Sequence, residues 1–231
     1  WGSTYLAIRV GVQTIPPALM VGLRFLAAGL LLLPVARALG QPLTVSARDL
    51  RILFLIGILL LVGGNGGVVW AEQYVASGLA ALLVATVPLW MASLETLLPD
   101  GSRLTVAAAT GLIVGFLGVA VLLWPKLQGV QGADLWGEAA LLFAALSWAV
   151  GSIWSRRAGL TVPPLVATGW QMLLVGALVT AVSVGTGEAA AARWTGTAVA
   201  AMGYLILFGS CLGLSAYICL LRNAPVASVS T

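Results

Sequence analysis

The opening segment Trp1–Arg24, WGSTYLAIRVGVQTIPPALMVGLR, decides how this chain is read, because it occurs twice. Displaced by 147 positions without a gap, it falls on residues 148–171, WAVGSIWSRRAGLTVPPLVATGWQ. Trp1 meets Trp148, Arg9 meets Arg156, Thr14 meets Thr161, and Pro16-Pro17 meets Pro163-Pro164. Further along, Gly22, Leu26, Gly29, Leu31 and Val35 meet identical residues at 169, 173, 176, 178 and 182, which makes ten identities in 35 positions. Shared apolar composition accounts for some of these. It does not by itself align a tryptophan, an arginine and two adjacent prolines.

Composition sets the medium in which the repeat folds. Of 231 residues, 61% are hydrophobic and only 8% are charged, against about 25% in soluble domains, and the mean hydropathy is +1.07. Eleven basic and seven acidic side chains cannot furnish a polar skin for a globule of this size, so the chain is an integral membrane protein. The absence of histidine excludes Ser-His and Cys-His nucleophile pairs and histidine metal sites within these residues. Cys211 and Cys219 lie in one apolar run, about 12 Å apart along a helix, too far for a disulfide. The only lysine is Lys126 and no GxxxxGK[ST] segment exists, so nothing here binds ATP as a P-loop does. The charge of +4 lies largely between apolar runs, where it sets orientation in the bilayer and gives no reason to expect nucleic acid as a partner.

Apolar runs of membrane-spanning length predict an all-α polytopic membrane protein. Helix 1 covers 1–13, and further helices lie near 17–36, 50–70, 76–98, 105–124, 136–155, 164–185 and 197–221, with a partial ninth from about 225. The runs are too long and too unalternating for barrel strands. With the connection after helix 1 outside, the cytoplasmic connections carry Arg37, Arg48, Arg51, Arg103, Arg156, Arg157 and Arg222, and the outer ones only Lys126 and Arg193. That bias obeys the positive-inside rule. The repeat unit spans five helices, an odd number, so its second copy enters the membrane upside down. Residues 1–125 read as the first five-helix half, cut short at its start, and 135–231 as the second, cut short at its end. The expectation is a ten-helix inverted-repeat transporter fold, present here as about eight helices plus the partial ninth, with its solute site near the bilayer midplane between the halves.

The stretches WGSTYLAIR, PP, Leu23-Arg24-Phe25, YVASGLAALLVATVPLW and TGLIVGFLGVAVLL resemble the EamA-type drug/metabolite transporter superfamily, and the similarity runs over nearly the whole chain. The resemblance implies a multi-pass protein of the bacterial or archaeal inner (plasma) membrane that exports small organic metabolites, amino-acid-like or drug-like. It implies a carrier, not an enzyme, with no cofactor. One departure stands out. Such proteins often carry Gly-Glu-Arg-Leu-Thr after helix 4, and here Gly101-Ser102-Arg103-Leu104-Thr105 has serine in place of the glutamate. Glu95, about two turns earlier, is the candidate substitute.

Several residues are candidates for solute contact. Gly63-Gly64-Asn65-Gly66-Gly67 weakens helical order; it either frees backbone to line a cavity with Asn65 or lets helices pack closely. Trp1 and Tyr5 share a face, and their mates in the second copy are Trp148 and Ser152. These, with Trp90, suit a pocket for an organic solute, while Trp70 and Tyr74 read as interfacial anchors. Arg24 is a candidate anion contact or partner for a carboxylate, or else an inter-helix structural pair or snorkelling interfacial anchor; its mate Gln171 keeps polarity without charge. Glu72 and Glu95 are the coupling candidates. The competing reading is a solvated loop for Glu72 and a short-range pair with Arg103 for Glu95. Gly111, Gly115 and Gly118 form a small-residue stripe for packing within the chain or in a homodimer. The other classes kept open are a lipid-translocating or structural membrane protein and, less favoured, an intramembrane hydrolase.

Overall fold

The computed structural model describes residues 2–98, 106–127 and 132–223. Among these residues every regular element is helical, which makes the chain an all-helical, polytopic membrane protein. The elements are α1 (Gly2–Gly11), α2 (Pro17–Ala38), α3 (Ala47–Ala71), α4 (Ser77–Thr96), α5 (Val106–Leu127), α6 (Gly132–Arg157), α7 (Pro164–Gly185) and α8 (Gly196–Leu221). They follow the eight apolar runs closely. Six are long and apolar enough to cross a membrane: α2, α3, α4, α7, α8 and, from Leu135 to Arg157, α6. The ninth run near 225 lies outside the described residues, as do Trp1 and the 101–105 segment.

The two proline pairs do the same local work. Pro16 and Pro163 hold extended backbone, at φ −55°, ψ 142° and φ −54°, ψ 142°, and the second proline of each pair opens a helix of 22 residues. A proline at the first helical position loses no hydrogen bond and has φ already set. Helices α3 and α8 share another irregularity. Each changes to π-helix in mid-course, over Ile58–Gly66 and Leu205–Leu212, and the two stretches start 147 residues apart, the offset of the sequence repeat.

Among the described residues, helices α2 and α7 form the most intimate pair. Both approach with glycine at the contact. A Cβ on Gly22 would lie 2.6 Å from the Thr180 backbone nitrogen, and one on Gly29 would lie 2.5 Å from that of Leu173. Gly176 abuts Leu26 and Phe25, and Gly169 abuts Leu33. Each contact has its mate under the 147-residue offset: Gly29 meets Leu173 as Gly176 meets Leu26, and Gly22 meets Thr180 as Gly169 meets Leu33. The partners run in opposite directions along the two helices, so the pair is antiparallel and self-complementary in the manner of an isologous contact. The core around it includes Phe25, Ala28, Met172 and Val175, all essentially inaccessible.

By contrast, Gly111 and Gly118 of α5 face open space, while Gly115 abuts the Leu89 side chain. The α5 stripe therefore meets the chain itself at one position of three. Gly29→Ala is expected to lower the unfolding free energy in detergent by about 1–3 kcal/mol through overpacking against backbone, whereas Gly111→Ala leaves it within about 0.5 kcal/mol. Paired thermal melts of the two variants check this.

Candidate functional site

A cavity of about 940 Å³ opens between α1, α3, α4, α6 and α8. Its wall is mostly aliphatic, with Thr4, Tyr5, Asn65, Trp148 and Tyr217 as the polar-tipped and aromatic members. A mainly apolar concavity with few convergent polar groups is the usual form of a small-molecule site.

The glycine-rich segment carries Asn65 to the cavity wall. The π-helical stretch covers it as far as Gly66, and Asn65 Nδ2 donates to the Leu60 carbonyl at 3.4 Å, five residues back. At the same time Gly64 lets the Trp148 ring in, since a Cβ there would lie 2.7 Å from the ring, and Gly67 admits Ala144 at 2.9 Å. Ser147 closes the seam by donating to the Leu59 carbonyl at 2.8 Å. Asn65 and Trp148 are thus brought to one wall by the same small residues.

On α8, Tyr217 packs against Trp148 with ring centroids 5.3 Å apart. Ser152 Oγ lies 2.6 Å from the Tyr217 hydroxyl and donates to the Trp148 carbonyl at 2.7 Å. The single serine proton is committed to the carbonyl, so Tyr217 is the donor to Ser152. Ser152 is completely buried and orients Tyr217 from behind the wall.

Three other candidates stand away from the cavity surface. Trp90 turns outward onto Phe116 of α5, ring centroids 5.1 Å apart and nearly perpendicular. Gln171 is buried against Gly57, its Cγ 3.7 Å from that glycine's Cβ position. Arg24 is 1% exposed; it neither snorkels nor pairs with a carboxylate among the described residues, and its Nε donates to Ser210 Oγ at 2.7 Å. Trp1 lies outside the described residues. Trp70 and Tyr74 are 40% and 43% exposed and pack on each other, as interfacial rings do.

The two carboxylate candidates separate. Glu95 pairs with Arg156 at 3.6 Å at the ends of α4 and α6; Arg103 is outside the described residues. This half-exposed pair is worth about 0–1 kcal/mol and stands apart from the cavity. Glu72 is not the solvated loop residue of the competing reading, for it has no accessible surface. It lies between the spans α3 and α4. Ser77 Oγ donates to its Oε2 at 2.9 Å, and the Arg9 guanidinium donates to its backbone carbonyl. Its Oε1 is buried without a hydrogen-bond partner. Burial raises its pKa to about 7, against the opposing pull of the Ser77 hydrogen bond and the Arg9 charge. Tyr5, which lines the cavity, lies close enough to feel the Glu72 charge. Sequence alone gave no signal for Ser77, five residues on, or for Glu138, which is buried on α6 beside Gly137, where that helix meets Ala71 and Val75.

A profile of the EamA-like transporter family matches residues 1–124 and again 135–231. The chain belongs to that family, and is a multi-pass inner-membrane protein. It is 40% identical over 98% of its length to a protein of Escherichia coli (strain K12) described as the uncharacterized inner membrane transporter YedA, of which it spans 72%. It is 25% identical over 86% of its length to the uncharacterized transporter YoaV of Bacillus subtilis (strain 168), spanning 68% of it. A solved crystal structure superposes with a TM-score of 0.70 at 22% identity, covering 99% of this chain and 80% of that one, a likeness of fold.

The buried, partly unpartnered Glu72 has a thermodynamic consequence. Its folded pKa lies above that of an exposed carboxylate, so between about pH 4.5 and 7 the native state binds more protons than the unfolded state, and stability falls as pH rises through that window. Glu72→Gln is expected to melt higher than the unsubstituted protein at about pH 8 and to flatten the stability profile between about pH 5 and 8. Thermal melts across that range measure it.

Proposed function

We propose that the chain is the core of an inner-membrane secondary carrier that exports a small organic metabolite by alternating access, its two five-helix halves related as an inverted repeat. The observation that carries the reading is the reciprocity of the α2–α7 contact under the 147-residue offset. An antiparallel, self-complementary pair of spanning helices is what a pseudo-two-fold axis in the membrane plane produces, and such symmetry lets each half adopt the other's conformation. The family profile fitting the chain twice, and π-helical stretches starting at matched positions in α3 and α8, are further support. Asn65, Tyr5, Trp148 and Tyr217 are the proposed solute contacts.

Glu72 is the proposed coupling group. A carboxylate that titrates near neutral pH, shielded from solvent and in electrostatic reach of the cavity's Tyr5, can load and release a proton within the working pH range. The assay is efflux of organic solutes from proteoliposomes holding the full-length protein, with and without an imposed pH gradient. The gradient is expected to accelerate export by about tenfold or more. Glu72→Gln removes that response, and Asn65→Leu or Trp148→Ala slows export with or without the gradient. Export indifferent to the gradient contradicts the coupling role, and insensitivity to all three substitutions contradicts the site. A lipid-translocating protein would instead move labelled lipid between leaflets in the same vesicles.

A further inference from the structure

We infer that Arg24 is a docking group for the carboxylate of the solute, so that the carrier takes small monocarboxylates with an apolar body. This rests on the carrier reading and narrows its substrate class.

The argument starts from an unbalanced charge. Arg24 sits in the membrane-spanning α2, fully enclosed by protein, and a guanidinium does not shed its proton in proteins. An arginine within a membrane span is costly to insert. Here the chain offsets little of that cost. The neutral Ser210 hydroxyl takes Nε, the Phe25 ring lies 5.0 Å from Cζ, and Nη1 is buried without a hydrogen-bond partner. Among the described residues Arg24 has no carboxylate partner: Glu95 pairs with Arg156, Glu188 accepts from Ser183 and the Ala18 amide, and Glu72 accepts from Ser77. A buried cation left this way is compensated when an anion arrives from outside the chain.

The guanidinium is one side chain away from the solute cavity. The Cβ position of Gly209 lies 3.0 Å from Arg24 Nη2 and 3.6 Å from the Thr4 methyl, and Thr4 lines the cavity. Gly209 has no side chain to fill the gap. Thr4 must move aside for the Nη1–Nη2 edge, the edge that binds carboxylates in bidentate fashion, to meet the cavity. One open edge on one cation matches a monoanion. Arg9 is held beside Glu72, bonded to its carbonyl and acting on its carboxylate, so Arg24 alone meets the solute and a dianion there would bury a net negative charge. Gln171 occupies the related position in the second half, so the charge exists on one side only and orients the solute. The rest of the wall, aliphatic with Trp148 and Tyr217, receives the apolar body.

The test uses the full-length protein in nanodiscs and three isosteric probes, 3-phenylpropionate, 3-phenylpropanamide and 2-phenylethylphosphonate, with affinities read by equilibrium dialysis. The carboxylate is expected to bind about tenfold or more tighter than the amide. The ratio falls to about one in Arg24→Gln and stays above about threefold in Arg24→Lys. Gly209→Ala, which sets a methyl against Nη2, lowers carboxylate affinity while the charge remains. Folding is checked independently, because removing an uncompensated charge leaves Arg24→Gln melting no lower than the parent. Equal binding of carboxylate and amide, a preference that survives Arg24→Gln, or tighter binding of the phosphonate overturns the inference. If carboxylate and amide bind alike and Trp148→Ala weakens both, the cavity reading stands and the inference alone fails. If no probe binds, both fall.

Discussion

The structure depends on the approach of α2 to α7 through glycine. Within a bilayer, apolar side chains gain nothing by leaving lipid for one another, so close backbone contact and dispersion hold helices together. Gly22 and Gly29 on one helix, and Gly169 and Gly176 on the other, remove the atoms that would keep the backbones apart. Because the four glycines are two pairs of repeat mates, one local solution is used twice. Once the pair is antiparallel and reciprocal, the proline-led starts of both helices lie at its opposite ends, and α3 and α8 pack outside it.

The cavity follows from what this pair leaves unfilled. Helices α1, α3, α4, α6 and α8 enclose a space to which α2 contributes no wall residue, Arg24 of α2 being bonded to Ser210 of α8. The π-helical stretches of α3 and α8 run beside that space, with Asn65 inside one and Gly213 just after the other. A π turn displaces the hydrogen-bond register and is a frequent feature of functional sites. The cavity is asymmetric although its frame is repeated. Arg24 corresponds to Gln171 under the offset, and Tyr5 to Ser152, so the two halves present unlike side chains around a like frame.

Much of this was legible before any coordinates. Period and length set the spans, because a membrane helix is a long apolar run whatever its partners. The proline pairs fixed two helix starts, since proline constrains only its own neighbourhood. Asn65 was singled out by its flanking glycines, and Tyr5 and Trp148 by the repeat, and the three line one cavity. What stayed hidden depends on long-range partners. Nothing in the neighbourhood of Arg24 announces Ser210, 186 residues away, and Trp90 could have turned inward as easily as onto Phe116. Glu72 read as a loop residue because WAEQY looks like the end of a span. Its burial comes from α1 and α4 folding over it, which no local pattern encodes.

The central claim is that mates under the offset lie on opposite faces of the membrane. Thr44, between α2 and α3, and Ala191, between α7 and α8, are exposed mates. In a full-length protein whose native cysteines are replaced, Thr44→Cys and Ala191→Cys can each be treated with a membrane-impermeant maleimide in intact cells. The account predicts labelling of the cysteine at 191 without permeabilisation and of the cysteine at 44 only after it. Labelling of both from the same side would contradict it.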